Sequence, residues 1–149
     1  MKRKLDYMDD ERSIWKFIFL GILTLGIYQW WCIYTLLRDM KKLCKDSDTK
    51  VDGVAKFFVL FFVTLGLYGI FWMFKTADVL SREGRRRGID VDVKPSFIII
   101  CYVLSYISGW TSYVAWAQIF KAMNKLAADY NREVRTISYL SLENKEATN

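Results

Sequence analysis

Three long apolar runs alternate with charged segments along this chain. The runs cover residues 14–37, 57–74 and 97–120, and Lys16 is the one charged residue inside them. Runs of 18 to 24 residues match the thickness of the hydrocarbon core of a bilayer. The pattern therefore predicts an all-α integral membrane protein.

A turn motif lies in the middle of the first run and recurs 40 positions later in the second. It reads Thr24-Leu25-Gly26-Ile27-Tyr28 and then Thr64-Leu65-Gly66-Leu67-Tyr68. Glycine permits tight-turn backbone angles, and a threonine hydroxyl can bond a backbone group that the turn leaves unpaired. We predict a bend at each motif and a third at Gly109. The predicted bend residues in the two motifs are Thr24, Gly26, Tyr28, Thr64, Gly66 and Tyr68.

The distribution of Lys and Arg favours runs that turn back at these bends. The segments 1–16, 38–56, 75–94 and 121–149 hold five, six, six and five of these residues. If each run crossed the membrane once, both faces would carry eleven, although positive charges normally collect on the cytoplasmic side. If each run turns back, all 22 lie on one side.

The depth of the glycines is consistent with this interpretation. Each glycine lies 9 to 12 residues into its run, which is roughly 14–18 Å of helix, or about half of the hydrocarbon core. We therefore predict three re-entrant, hairpin-like helix–bend–helix units, each continued by an amphipathic helix on the cytoplasmic side. A three-span transmembrane bundle is the alternative, because 18 to 24 residues also suit single spans.

The whole chain, 1–149, is predicted to be a single membrane domain with internal repeats. Its units are 13–45, 53–82 and 95–134, with a basic linker at 81–94 and a polar tail at 135–149.

After each bend an apolar stripe continues at helical spacing beyond the run, which predicts that each of the three helices continues as an amphipathic helix. The stripe residues are Leu36, Leu37, Met40, Leu43 and Cys44, then Trp72, Met73, Thr76, Val79 and Leu80, and finally Trp116, Ile119, Phe120, Met123, Leu126, Ala127 and Tyr130.

The order of several motifs carries a family resemblance. They are Arg12-Ser13-Ile14, the two bend motifs, Arg38-Asp39, Trp72, and Gln118 followed by Asn124-Lys125. Together they resemble the bacterial membrane family called domain of unknown function 4234, over about residues 12–128. The third unit departs from the pattern because no tyrosine follows Gly109 directly. The resemblance implies a small bacterial membrane protein and implies no activity.

The sequence offers little for catalysis or metal binding. It contains no histidine, and its three cysteines lack paired spacing. Ser105, Ser108 and Ser112 therefore have no histidine partner, and the apolar runs contain no carboxylate. We expect no enzyme activity, no cofactor and no metal, and an intramembrane enzyme is the least favoured alternative.

Five basic residues are candidate contacts for anionic lipid. Lys16 and Lys56 occupy equivalent positions in the first two units, and Arg85, Arg86 and Arg87 form a cluster between two glycines. Such residues gain about 1 kcal/mol each near an anionic surface. The simpler interpretations are snorkelling lysines and a solvated topology signal, and nucleic-acid binding is not expected.

The leading functional hypothesis is a non-enzymatic protein of the bacterial inner (cytoplasmic) membrane, with its charged segments facing the cytoplasm. It would self-associate as a homo-oligomer and bind anionic lipid or shape the membrane, since hairpins inserted in one leaflet add area to it. The alternative is an oligomeric pore or channel for small solutes or ions, acting as an effector or immunity factor. Its motivation is the polar side chains at bend depth. Membrane lipids are the expected partners, and the sequence does not identify any other protein partner.

Overall fold

The computed structural model describes residues 7–45 and 53–146. This part of the chain contains six α-helices and no strand, so the predicted all-helical class is confirmed. The helices are α1 (Ile14–Leu23), α2 (Ile27–Leu43), α3 (Val54–Val63), α4 (Leu67–Arg87), α5 (Pro95–Ser108) and α6 (Thr111–Glu146). Within the described ranges, none of these helices combines the length and the apolar character that crossing a membrane requires.

The helices form three pairs, α1–α2, α3–α4 and α5–α6, and each pair is joined by two or three residues. We call the joining segments 24–26, 64–66 and 109–110 the tips. Each apolar run is divided between the two helices of a pair. A three-span bundle with one continuous helix per run therefore does not describe this fold.

Contacts between α4 and α6 show that these helices run in the same direction. Trp72 packs against Trp116, with ring centroids 6.1 Å apart. Further along both helices, the Arg87 guanidinium lies 3.1 Å from the Asp129 carboxylate. Because both contacts advance together along the chain, the tips before α4 and α6 lie at the same end of the bundle.

The N-terminal part of the chain runs opposite to α6. Phe17 packs against Trp116, with ring centroids 5.0 Å apart, whereas the earlier residue Met8 bonds to the later residue Asn131. Following α1 from Phe17 to its tip therefore leads to the start of α6. All three tips lie at one end, which we call the hairpin end, and the opposite end is the base.

The base is held together by the predicted stripes. All the stripe residues of α2 and α4 are buried, and so are those of α6 except Tyr130, which is half-buried. The parts of α2, α4 and α6 nearer the base therefore pack into one core. The sequence instead suggested that each helix extends separately along the membrane surface as an amphipathic helix.

Two helices are longer than the sequence suggested. The helix α4 continues to Arg87, into the predicted linker, because Glu83 accepts hydrogen bonds from Arg86 and Arg87 at helical spacing. It ends at Gly88, whose φ of 67° suits a helix C-terminus. The helix α6 continues to Glu146, through most of the predicted polar tail, whose composition includes good helix formers such as Leu140 and Leu142.

Two asparagines of α6 hold the segment before α1 against the base. The Asn131 side chain accepts from the Met8 N–H at 2.8 Å and donates to the Met8 carbonyl at 2.9 Å. Seven residues earlier, Asn124 makes the same pair of bonds with the backbone of Arg12, at 3.1 and 2.9 Å. These bonds satisfy backbone groups that no helix or sheet pairs.

The first two hairpins close by complementary glycines. A Cβ added to Gly21 would lie 2.9 Å from the Gln29 side chain, so α1 and α2 approach closely there. At the equivalent positions, 40 residues later, the large residue is Phe61 on α3 and the glycine is Gly69 on α4, with a corresponding distance of 3.2 Å. Each hairpin therefore pairs one glycine with one larger side chain. The glycine belongs to the first helix in the first hairpin and to the second helix in the second hairpin.

We expect Gly21→Phe to lower the free energy of unfolding by about 1–3 kcal/mol, because the added ring overpacks the contact with Gln29. Adding Gln29→Gly should recover more than half of this loss, since the pair then matches Phe61 and Gly69. Thermal unfolding of the purified protein in detergent measures both effects. A double variant no more stable than Gly21→Phe would show that the two positions are not coupled.

Candidate functional site

The first tip is a helix C-terminus of the Schellman type. The Gly26 N–H donates to the Gly21 carbonyl at 2.7 Å, and the Leu25 N–H donates to the Ile22 carbonyl at 3.2 Å. The left-handed position of this motif is normally a glycine, but here it is Leu25, with φ of 51°. Gly26 follows with φ of 92° and serves as the N-cap of α2.

The second tip repeats this geometry closely. Leu65 has φ of 51° and Gly66 has φ of 91°, and the Gly66 N–H donates to the Phe61 carbonyl at 2.8 Å. A left-handed leucine is conformationally costly, by roughly 1–3 kcal/mol. Both tips therefore keep an apolar side chain at a position where Gly or Asn would fit with less strain.

Each predicted bend threonine bridges the two helices of its hairpin. The Thr24 hydroxyl donates to the Leu20 carbonyl at 2.6 Å and accepts from the Tyr28 N–H at 2.9 Å. The Thr64 hydroxyl makes the same two bonds, at 2.7 and 2.9 Å, the second with the Tyr68 N–H. The hydroxyls therefore satisfy the last turn of one helix and the first turn of the next.

The third tip uses different residues for the same purpose. Gly109 has φ of 71°, and its N–H donates to the Ser105 carbonyl at 2.8 Å. The Ser108 and Thr111 hydroxyls lie 3.1 Å apart across the tip. The Thr-Leu-Gly pattern is absent here, but Gly109 occupies the bend between α5 and α6.

The surface of the hairpin end is apolar. Leu25 and Leu65 are 95% and 94% exposed, and Ile107 beside the third tip is 88% exposed. Other exposed large apolar residues of these helices are Trp15, Phe19, Ile22, Leu23, Ile27, Trp31, Tyr34, Val59, Phe62, Val63, Leu67, Phe71, Phe74, Phe97, Ile100, Val103, Leu104, Trp110 and Val114. An exposed apolar surface of this kind marks a site of membrane or protein contact.

A ring of basic residues bounds this apolar end. In both directions along the chain from each tip, the first charged residue is Lys or Arg, although the chain also contains 16 acidic residues. Five of these basic residues lie within helices, and the sixth, Lys94, is the N-cap of α5. At about 1.5 Å per residue, these residues lie roughly 12–22 Å from their tips. We call them the basic girdle: Lys16, Arg38, Lys56, Lys75, Lys94 and Lys121. It includes the predicted residues Lys16 and Lys56, which are both exposed.

The predicted arginine cluster lies elsewhere and has protein partners. Arg86 and Arg87 bond the Glu83 carboxylate, which is 2% exposed. Arg87 also reaches the Asp129 and Glu133 carboxylates, each at 3.1 Å. Its side chain is 11% exposed, so Arg87 is mainly a structural link between α4 and α6. Arg85 is exposed and contacts Ser81.

Glu83 gives the base a pH-dependent stability. Burial alone would raise the pKa of Glu83, but the hydrogen bonds from Arg86 and Arg87 outweigh it and hold the pKa below its ordinary value of 4.5. Burial alone would lower the pKa of Arg87, but its hydrogen bonds to the carboxylates of Glu83, Asp129 and Glu133 outweigh burial and raise the pKa. A carboxylate with a lowered folded-state pKa stabilises the fold above its unfolded pKa, and this contribution disappears as the pH falls through the folded pKa.

We expect Glu83→Gln to lower the free energy of unfolding at pH 7 by about 2 kcal/mol, because charge-assisted hydrogen bonds are lost. The difference between the variant and the parent should shrink as the pH falls below 4.5. Chemical unfolding at several pH values measures this. A difference that stays constant down to pH about 3 would contradict the role given to the Glu83 charge.

A buried ion pair at the base side of the girdle was not predicted from the sequence. The Arg12 guanidinium bonds the Asp39 carboxylate, and their side chains are 6% and 0% exposed. Arg38 contacts the same carboxylate at 3.1 Å. Arg12, Arg38 and Asp39 all belong to the motifs that carried the family resemblance, which was the available signal.

The comparisons with known proteins agree with those motifs. The family described as Domain of unknown function (DUF4234) matches the chain over residues 12–61 and again over 52–128. No curated protein and no solved structure matches it. Because the two matched stretches together cover most of the 149 residues, this chain belongs to the DUF4234 family.

Proposed function

We propose that this protein embeds its hairpin end in one leaflet of a membrane and keeps the base on the cytoplasmic side. In this arrangement the three hairpins act as a wedge that adds area to that leaflet and binds anionic lipid around the basic girdle. The function is non-enzymatic. The proposal concerns the surface of the molecule, because no catalytic group is needed for it.

The observation that carries the proposal is the leucine at both tips. In water, the left-handed position of such a turn favours Gly, Asn or Asp. Leu25 and Leu65 accept the backbone strain and are almost fully exposed. An exposed leucine is favourable where the surroundings are hydrocarbon, at about −0.5 kcal/mol on insertion scales.

The internal bonding of the tips also suits hydrocarbon. A backbone group without a partner costs several kcal/mol there. At the first two tips, the Schellman bonds and the threonine hydroxyls pair most of the groups that a bend exposes. The hairpins therefore carry few unsatisfied backbone groups into the membrane.

The depth of the girdle fits insertion into half of a bilayer. Its residues lie near or just beyond the roughly 15 Å of one leaflet's hydrocarbon, where ammonium and guanidinium groups meet lipid phosphates. Arg85 lies ten residues beyond Lys75 on α4, which is about 15 Å further from the tip. We therefore assign the lipid contacts to Lys16 and Lys56 with the rest of the girdle, and not to the arginine cluster.

The pore alternative has weaker support. It relied on polar side chains at bend depth, but the hydroxyls of Thr24, Thr64 and Ser108 are engaged in hydrogen bonds within their own hairpins. Self-association remains part of the proposal. Ile137, Leu140 and Leu142 near the end of α6 are exposed apolar residues outside the hairpin end, and they offer a surface for a second copy.

We expect the triple variant Lys16→Gln, Lys56→Gln and Lys121→Gln to bind anionic vesicles more weakly by about 3 kcal/mol, at about 1 kcal/mol per charge. Flotation with vesicles of increasing anionic lipid content measures this, and the parent's binding should weaken at high salt. The matched control neutralises Lys41, Lys45 and Arg132, which are exposed in the base. Equal losses in both triple variants would contradict a specific role of the girdle.

A further inference from the structure

A pocket of about 170 Å³ opens beside the first hairpin, where the girdle meets the segment before α1. Its lining includes Asp9, Glu11, Arg12, Ser13, Lys16 and Trp31. A drug-sized ligand needs roughly 300 Å³ or more, so the pocket suits a small polar group. Since it contains the girdle residue Lys16, the proposed membrane insertion places it at the depth of the lipid headgroups.

The pocket contains charges of both signs that do not neutralise each other directly. Within the described residues, the carboxylates of Asp9 and Glu11 form no ion pair, and neither does the Lys16 ammonium. Asp9 instead accepts a hydrogen bond from the Glu11 N–H at 3.2 Å. All three side chains belong to exposed residues and can therefore be approached by a ligand.

Arg12 adds an unused donor to the same lining. One terminal nitrogen of its guanidinium bonds Asp39, and the other bonds the Asp9 carbonyl. Its Nε is buried and has no hydrogen-bond partner among the described residues. The side chain is 6% exposed, and a buried donor without a partner is unusual. Ser13, at the start of α1, likewise makes no capping bond with its side chain.

We propose that this pocket binds the phosphoethanolamine headgroup of a membrane lipid. The phosphate lies between Lys16, the Arg12 Nε and Ser13, and the ammonium lies against the Asp9 and Glu11 carboxylates. This proposal deepens the proposed function and rests on it.

The balance of charge explains why a zwitterion is favoured over an anion. Arg12 and Arg38 share the single Asp39 carboxylate, so the lining contains two cations, Arg12 and Lys16, and two carboxylates, Asp9 and Glu11. A headgroup with only a phosphate would pair with the cations and leave the two carboxylates without a cation, and like charges repel. A headgroup that also carries a primary ammonium satisfies both signs, and Trp31 offers its ring to the cation. A trimethylated ammonium has no N–H to donate to the carboxylates.

Native mass spectrometry of the full chain in detergent tests the proposal, with lipids of identical acyl chains and phosphoethanolamine, phosphoglycerol or phosphocholine headgroups. We expect the phosphoethanolamine lipid to be retained at least fivefold more than the other two. Lys16→Gln and Glu11→Gln should each reduce this retention at least fivefold. Lys41→Gln is the matched control, because Lys41 is an exposed lysine of the base that lies outside both the pocket and the girdle, and it should change retention less than twofold.

Equal retention of the three lipids, or an equal effect of Lys41→Gln, would overturn the assignment. Soluble phosphoethanolamine distinguishes the source of the group. We expect an equimolar amount to leave the bound lipid in place, whereas tighter binding of the soluble compound would overturn the lipid assignment. Vesicle flotation separates this test from the proposed function: a protein that floats without headgroup preference refutes the pocket alone, and one that does not float refutes membrane insertion.

Discussion

The double variant Leu25→Asp/Leu65→Asp is expected to lose membrane association almost completely. Leucine is favourable in the hydrocarbon core by about 0.5 kcal/mol and aspartate is unfavourable by about 3 kcal/mol, so two exchanges weaken insertion by roughly 6–7 kcal/mol. The same exchange should not unfold the protein. Both positions have a left-handed backbone, which aspartate tolerates better than leucine does.

Vesicle flotation measures the effect, and circular dichroism in detergent verifies that the helices remain. The matched control is Leu140→Asp/Leu142→Asp, because these leucines are 54% and 56% exposed but lie at the far end of α6. The control should float like the parent. If the tip variant also floats like the parent, the tips do not enter hydrocarbon.

The variant Asp39→Asn should have the largest effect on stability. Asp39 is fully buried and is the partner of the Arg12 guanidinium, which the exchange would leave buried without a counter-charge. Breaking a buried pair in this way costs about 3–5 kcal/mol. The exchange should also weaken the packing of the segment before α1, since Arg12 belongs to that segment and Asn124 holds its backbone in place.

Thermal unfolding in detergent measures the loss. Asp78→Asn is the control, because Asp78 pairs with Arg82 one turn further along the same helix, where the two side chains are 31% and 65% exposed, and such pairs contribute about 0.3–0.5 kcal/mol. The double variant Arg12→Met/Asp39→Leu should recover much of the stability, since an apolar pair of similar volume can replace a buried ion pair. Similar losses for Asp39→Asn and Asp78→Asn would contradict the account of the buried pair.

The parts of the fold that depend on short-range pattern could be predicted from the sequence. The bend glycines are identifiable because Thr-Leu-Gly recurs at a fixed period in the middle of two apolar runs, where an ordinary helix needs no turn residue. The apolar face of each helix after its bend was identifiable for the same reason, since helical spacing places Leu36, Met40 and Leu43 on one face. That these faces pack against one another in the base was not predicted.

Contacts between distant parts of the chain could not be predicted in this way. The bond from Asn131 to Met8 joins residues 123 positions apart, and no local pattern indicates which helix the N-terminal segment meets. The arginine cluster was assigned to a linker because three adjacent charges resemble a solvated loop. Its role depends on Glu83 within α4 and on Asp129 and Glu133 of α6, which only the packing of the two helices brings together.

In the proposed arrangement, the tips lie within one leaflet while every charged segment stays on one side of the membrane. Single cysteines in a background without Cys32, Cys44 and Cys101 test this arrangement, with a membrane-impermeant maleimide applied to sealed vesicles of each orientation. The probe positions are Glu11, Lys45, Asp90 and Glu143 for the charged segments and Leu25, Leu65 and Ile107 for the hairpin end. We expect labelling of the first four positions from the same side and of the last three from neither side. Labelling of Glu11 and Lys45 from opposite sides would contradict it.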